Sequence, residues 1–222
     1  MIKLQLLTFL EKFILARLNG EIKKSKVSWP KMELKMDNSM LSEFIKKNKL
    51  NQKEITTLTI ALVPHLSPDF FNSIIYKYLP NGGDFPEFGG TKGKNHRGIL
   101  PTGETVLYIL AGKNVEKRIE VSKLFDDDHL FAKKNVLYLE HPGDGEPRMS
   151  GKLILDEEYM DLFTTGKISK PKLSAQFPAE LISTELEWKD LVLREQTLEE
   201  IREIETWLKY NDTLMGEWKM HG

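Results

Sequence analysis

The apolar positions of the first eighteen residues, among them Ile2, Leu6, Phe9, Leu10, Phe13, Ile14 and Leu18, form a broad helical stripe interrupted by Lys3, Glu11, Lys12 and Arg17. Its longest uncharged run, Leu4 to Leu10, falls far short of the ~20 residues that span a bilayer, and no small-residue cleavage pattern follows. The stripe predicts a buried or partner-packed helix in a cytoplasmic protein with no membrane segment. Lys23, Lys24 and Lys26 behind it leave a membrane-surface seat as the alternative. Three shorter helical patterns come next. Ser39 to Lys47 sets Leu41, Phe44 and Ile45 on one face, and Asn51 with Glu54 has the spacing of a capping box ahead of Ile55, Leu58, Leu62 and Leu66. Ser67, Pro68 and Asp69 then supply start signals for a helix running from Asp69 to Leu79.

From Pro80 to Gly103 the periodicity breaks. Gly82, Gly83, Gly89, Gly90, Gly93 and Gly98 predict a long loop, and loops of that length inside a domain are often functional. Glu104 to Ala111 reads as a helix closed by Gly112, and Val115 to Phe125 as another. Beyond Asp126 to Asp128 the period falls to two. Val136 to Glu140 and Lys152 to Leu155 predict strands, and the turn-rich His141 to Pro147 between them predicts a hairpin. Asp156 caps a helix from Glu157 to Phe163. A helical trio followed by a hairpin predicts an α+β fold with a winged-helix-like domain over 38–166. An N-terminal helix and linker, 1–37, precede it, and a strand-plus-helix coupling segment, 167–222, follows. That last segment holds a β-type run, Leu181 to Leu186, and a helix whose capping box would be Thr197 with Glu200.

Composition narrows the chemistry. The chain has 222 residues, 40% hydrophobic and 29% charged, and no cysteine, which excludes disulfides, thiolate nucleophiles and sulfur-ligated zinc. The net charge of −1 conceals an asymmetry: residues 1–53 carry twelve Lys/Arg against five Asp/Glu, whereas residues 180–206 carry nine acids against three bases. The basic end is either a solvated face or a surface for an anionic partner.

Individual motifs add little catalytic promise. Gly89 to Asn95 imitates a phosphate loop, but only three residues separate Gly89 from Gly93 and Asn95 stands where a magnesium-binding Ser or Thr is needed. Lys92, Lys94, His96 and Arg97 remain a candidate anion or partner loop. Leu153 to Glu157 imitates a Walker B strand, although any strand leading into an Asp-capped helix has that pattern. His129 beside Asp126, Asp127 and Asp128 could hold a metal weakly; otherwise the five histidines lack ligand spacing. No catalytic or metal residue is assigned, and a hydrolase would require carboxylates brought together by folding.

Taken in order, Leu50, Glu54, Leu58, Ala61, Leu62, Pro64, Leu66 and Pro68, then Gly103 to Gly112, Val136 to Leu139, Leu153 to Asp156, Tyr159 and Thr165-Gly166 resemble the N-terminal winged-helix region of bacterial AAA+ ATPases, Bacteroidetes-type members in particular. Glu187 to Leu193, followed by Thr197, Leu198 and Ile201 to Leu208, is similar to the lead-in to their ATPase module. The resemblance implies a non-catalytic regulatory or partner-recruiting region that ends before the Walker A loop. ATP and magnesium would be held by the parent protein, with Asp190, Leu191, Val192 and Leu193 lying beside the nucleotide. It further implies a downstream AAA+ module and other copies of the chain as partners. A stand-alone winged-helix nucleic-acid binder is the alternative reading; the helix from Asp69 to Leu79 offers it one lysine, Lys77.

Overall fold

The computed structural model describes residues 1–22, 29–78, 85–168, 187, 190 and 192–213. It is an α+β structure, about 60% helical with two small two-stranded sheets. The chain divides into a compact unit from Met1 to Ser169 and a second unit from Lys170 onward.

In the first unit, α1 (Ile2–Ile22) packs on α3 (Gln52–Leu66). Ile2, Leu6, Phe9, Leu10, Phe13, Ile14 and Leu18 are buried in the same core as α3, so the helix expected to precede the domain is part of its interior. No helix among the described residues is long and apolar enough to cross a membrane. An extended segment, 29–37, straps α1 in place. Gln5 and Lys35 exchange hydrogen bonds, and Arg17 stacks over Trp29 at 4.5 Å while donating to Ile109 O at 3.1 Å.

Asp37 ends the strap and joins two helices. Its carboxylate accepts from Ile2 N–H at 2.8 Å and from the hydroxyls of Ser39 and Ser42. Ser39 is in turn the N-cap of α2 (Met40–Lys47). These bonds hold the Asp37 carboxyl well below its ordinary range, the Ser39 hydroxyl contributing most.

The Asn51–Glu54 capping box forms in full at the start of α3. α4 (Phe70–Tyr76) is shorter than its pattern predicts, and its N-cap Asp69 makes no side-chain bond; Leu79 lies outside the described residues. The predicted loop is partly ordered by pairing. β1 (Thr91–Lys92) and β2 (Ile99–Leu100) form an antiparallel pair, preceded by a 3₁₀ turn, Pro86–Phe88, that buries Phe88 against Phe71 and Tyr108. The pattern missed this because two-residue strands carry no period.

α5 (Gly103–Ala111) opens with a capping box between Thr102 and Thr105 and closes at Gly112, whose φ of +62° suits glycine. α6 (Val115–Ser122) gives way to a 3₁₀ turn at Lys123–Phe125, so the helical stretch predicted to Phe125 tightens in its last residues. α7 (Leu130–Lys133) leads into β3 (Leu137–Leu139), which pairs antiparallel with β4 (Leu153–Leu155), Leu137 opposite Leu155. The hairpin is where it was expected. α8 (Glu157–Thr164) follows the Asp156 cap.

In the second unit, α9 (Glu195–Asp212) begins two residues before Thr197. Its N-cap is Arg194 without a side-chain bond, so the expected Thr197–Glu200 box is not the helix start. Ile204, Trp207 and Leu208 are exposed along it. The β-type run 181–186 lies outside the described residues.

Two expected outcomes test this architecture. Leu10→Ala or Ile14→Ala should cost about 3 kcal/mol in urea denaturation, because each empties a closed part of the core; a loss below about 1 kcal/mol would mean that α1 is dispensable to it. Asp37 is charged in the fold well below its ordinary pKa of 3.8, so its contribution is complete above that value and fades as pH falls below it. Asp37→Asn should therefore lower Tm at neutral pH, with the two Tm-against-pH curves converging in acid.

Candidate functional site

Close packing accounts for the glycines of the 85–100 segment. A Cβ on Gly89 would sit 2.7 Å from Glu104 Cβ, and one on Gly90 would sit 2.5 Å from Ile99 Cγ2; both residues have positive φ. The Gly90 amide donates to Thr102 Oγ1 at 3.1 Å, and Ile99 N–H donates to Asn72 Oδ1 at 2.9 Å, tying the hairpin to α4. A phosphate cradle needs free amides at such glycines, and here the fold uses them.

Lys92, Lys94 and Arg97 are exposed on this hairpin and its turn, with no ion pair among the described residues. His96 differs from them. It is half-buried, with Nε2 enclosed beside Gly98 and lacking a hydrogen-bond partner. The nearby His65 is held below its usual pKa, first by desolvation and then by repulsion from His96. The loop thus presents three cations and one structural imidazole. A cleft of about 450 Å³ between α4 and the hairpin runs past Tyr76 and Lys92.

Asp190, Val192 and Leu193 lie in the second unit, and Leu191 lies outside the described residues. Asp190 Oδ2 accepts from Glu187 N–H at 2.9 Å in a local turn, and Val192 is 95% exposed. Asp190, Val192 and Leu193 supply neither a cation nor a glycine loop for a phosphate group. Asp156, at the Walker B look-alike, caps α8 by accepting from Glu158 N–H at 3.0 Å.

His129 has a structural part in the fold. Its Nδ1 accepts from Phe131 N–H at 3.2 Å, capping α7, while Nε2 stands 3.3 Å from Glu54 Oε1. One imidazole therefore bridges the starts of α3 and α7. Asp127 and Asp128 are exposed beside it, and no group of three metal-ligating side chains occurs among the described residues. Nor is any Asp or Glu among them fully buried.

A second cleft, of about 530 Å³, lies between β3 with its following turn and the segment 124–132. Leu124, Phe125, Leu137 and Leu139 supply apolar lining, while Asp127, Asp144 and Glu146 are exposed at its polar edge. Its volume suits a ligand or a peptide segment. The turn residues and the alternation of Val136 to Leu139 signalled a hairpin, but nothing local signalled the cleft, which needs residues some fifteen positions apart.

No family model matches the chain, and no curated protein or solved structure matches it either.

Because Lys92, Lys94 and Arg97 are unpaired, reversing all three to Glu should change Tm by less than about 2 °C in thermal circular dichroism, the small effect expected at an exposed surface. A larger drop would show that the hairpin depends on them.

Proposed function

We propose that the chain is a non-catalytic, partner-recruiting or regulatory region of an AAA+ family ATP-binding protein, with a winged-helix body over 38–166 that α1 completes. The observation that carries this reading is the bracketing of β4. On one side it pairs with β3; on the other, Leu153 N–H donates to Pro101 O at 2.8 Å and Thr102 bridges Lys152. Helix α3, the short segment 99–102, α5, α6 and the β3–β4 hairpin then follow in winged-helix order, with β4 between the other two segments. The ordered resemblance to AAA+ N-terminal regions supports the same assignment. In the parent protein, Asp190 to Leu193 would adjoin the nucleotide, and α9, with its exposed Ile204, Trp207 and Leu208, would pack against the ATPase module or a further copy.

Charge argues against the nucleic-acid alternative. In winged-helix order the groove-facing helix is α6 rather than α4. Its Glu116 and Glu120 balance Lys117 and Arg118, and Arg118 is engaged by Glu104 at 2.5 Å and by Gly112 O at 3.1 Å, so the helix has no net positive charge for a groove. The β3–β4 turn adds Asp144 and Glu146, which repel phosphates.

Isothermal titration should detect no binding of ATP with Mg²⁺ by the 222-residue chain, and anisotropy should detect no binding to a duplex at low salt. Tight magnesium-dependent nucleotide binding would overturn the non-catalytic reading, and salt-sensitive duplex binding would restore the alternative.

A further inference from the structure

Along α9 the apolar positions recur at i, i+3 and i+7. Ile201, Ile204 and Leu208 fall on one face of the helix, and Thr197 and Asn211 extend that face at either end. Ile204 and Leu208 are 59% and 64% exposed, and Trp207, at the border of the same stripe, is 54% exposed. Large apolar side chains left in water at this spacing are the anchors by which a helix seats itself on a partner.

The charges beside the stripe select what can cover it. α9 carries six Asp/Glu against two Lys/Arg. With Ile201 and Leu208 at a and Ile204 at d of a heptad, Glu200 takes a g position and Glu205 an e position, the two that border a helix seam. Both are exposed, and neither has an ion pair among the described residues. Arg202 and Lys209 both fall at b, on the outer face, where Lys209 lies over the Tyr210 ring at 5.5 Å, and Arg194 precedes the helix as its N-cap. In a parallel pair the g position faces the next e position of the other helix, so a second copy of α9 would set Glu200 against Glu205 twice. Like charges placed in this way oppose pairing, whereas lysine or arginine there turns both contacts into attractions.

We propose that α9 docks, stripe first, on an amphipathic helix of a partner protein whose apolar seam is flanked by Lys or Arg. Ile201, Ile204 and Leu208 would fill the seam, and Trp207 would close one side of it against water. Glu200 and Glu205 would meet the cationic flanks. Apolar burial supplies the affinity of such a contact, and the flanking charges supply its selectivity. The proposal deepens the recruiting role above and rests on it; of the partners named there, α9 of a further copy is the one that these charges reject. The two fail separately: nucleotide binding would sink that role, and loss of helix docking would sink only this one.

The probe is a fluorescein-labelled peptide of about three heptads, leucine at a and d and lysine at e and g, titrated into the full chain at low ionic strength, where charge attraction is least screened. Saturable anisotropy is expected, with amide shifts in NMR centred on residues 201–208. Glu200→Lys with Glu205→Lys should weaken binding roughly tenfold. Ile204→Gln with Leu208→Gln should abolish it while circular dichroism shows the helix retained, since glutamine is a good helix former. Absence of binding, equal binding of a peptide with glutamate at e and g, unchanged affinity in either double variant, or amide shifts confined to the first unit would each overturn the proposal. So would self-association of the chain in sedimentation that the glutamine variant removes, because a second copy would then hold the stripe.

Discussion

Helix α3 is buried on every side, and it carries three threonines into that burial. Residues Ile55 to Val63 are all buried, including Thr56, Thr57 and Thr59. A buried hydroxyl without a partner would cost on the order of 1–3 kcal/mol. Each of these avoids that by donating to the carbonyl four residues back, at 2.7, 3.0 and 2.7 Å. With its polar atoms satisfied internally, α3 can be covered by apolar surface all round, and its neighbours follow from that need. α1, α5, β4 and α8 each pack on it. Covering α3 is the reason that α1 belongs to the core, and it fixes the sheet position from which β3 then extends.

The second organising contact is aromatic. Phe85 and Phe88 meet Tyr108 at ring-centroid distances of 5.4 and 5.8 Å, and Phe88 meets Phe71 at 5.8 Å. These rings anchor the glycine-rich segment to α4 and α5, allowing a two-residue pairing to persist where local propensity is poor. The enclosed Tyr108 hydroxyl is pushed well above the usual phenol range, chiefly by burial. Flexibility of composition and order in the fold are compatible here because long-range packing compensates for weak local preference.

The residues that sequence made legible were those whose partners lie within a few positions. Asn51 with Glu54, Asp156 and the turn-rich 141–147 segment announced caps and a hairpin, and those features are present. What stayed hidden depends on distant partners. Phe88 reads as a loop residue until Phe71 and Tyr108 enclose it. Pro101 reads as a breaker until Leu153 bonds its carbonyl. His129 meets Glu54, far back in the chain, at 3.3 Å, a contact that no local spacing encodes. In the candidate loop Lys92, Lys94 and Arg97 are exposed, whereas His96 is half-buried, a difference that spacing alone does not encode.

The turn between β3 and β4 has a closely packed base, and Glu146 N–H donates to Gly143 O at 3.0 Å across its tip. A Cβ on Gly151 would lie 2.0 Å from Glu140 O, and one on Gly103 would lie 2.8 Å from the Met149 side chain, so the base is fitted closely onto the start of α5. Glu140, bonded to Lys152, belongs to this fixed part. Gly145, by contrast, faces open space at a φ of +82°.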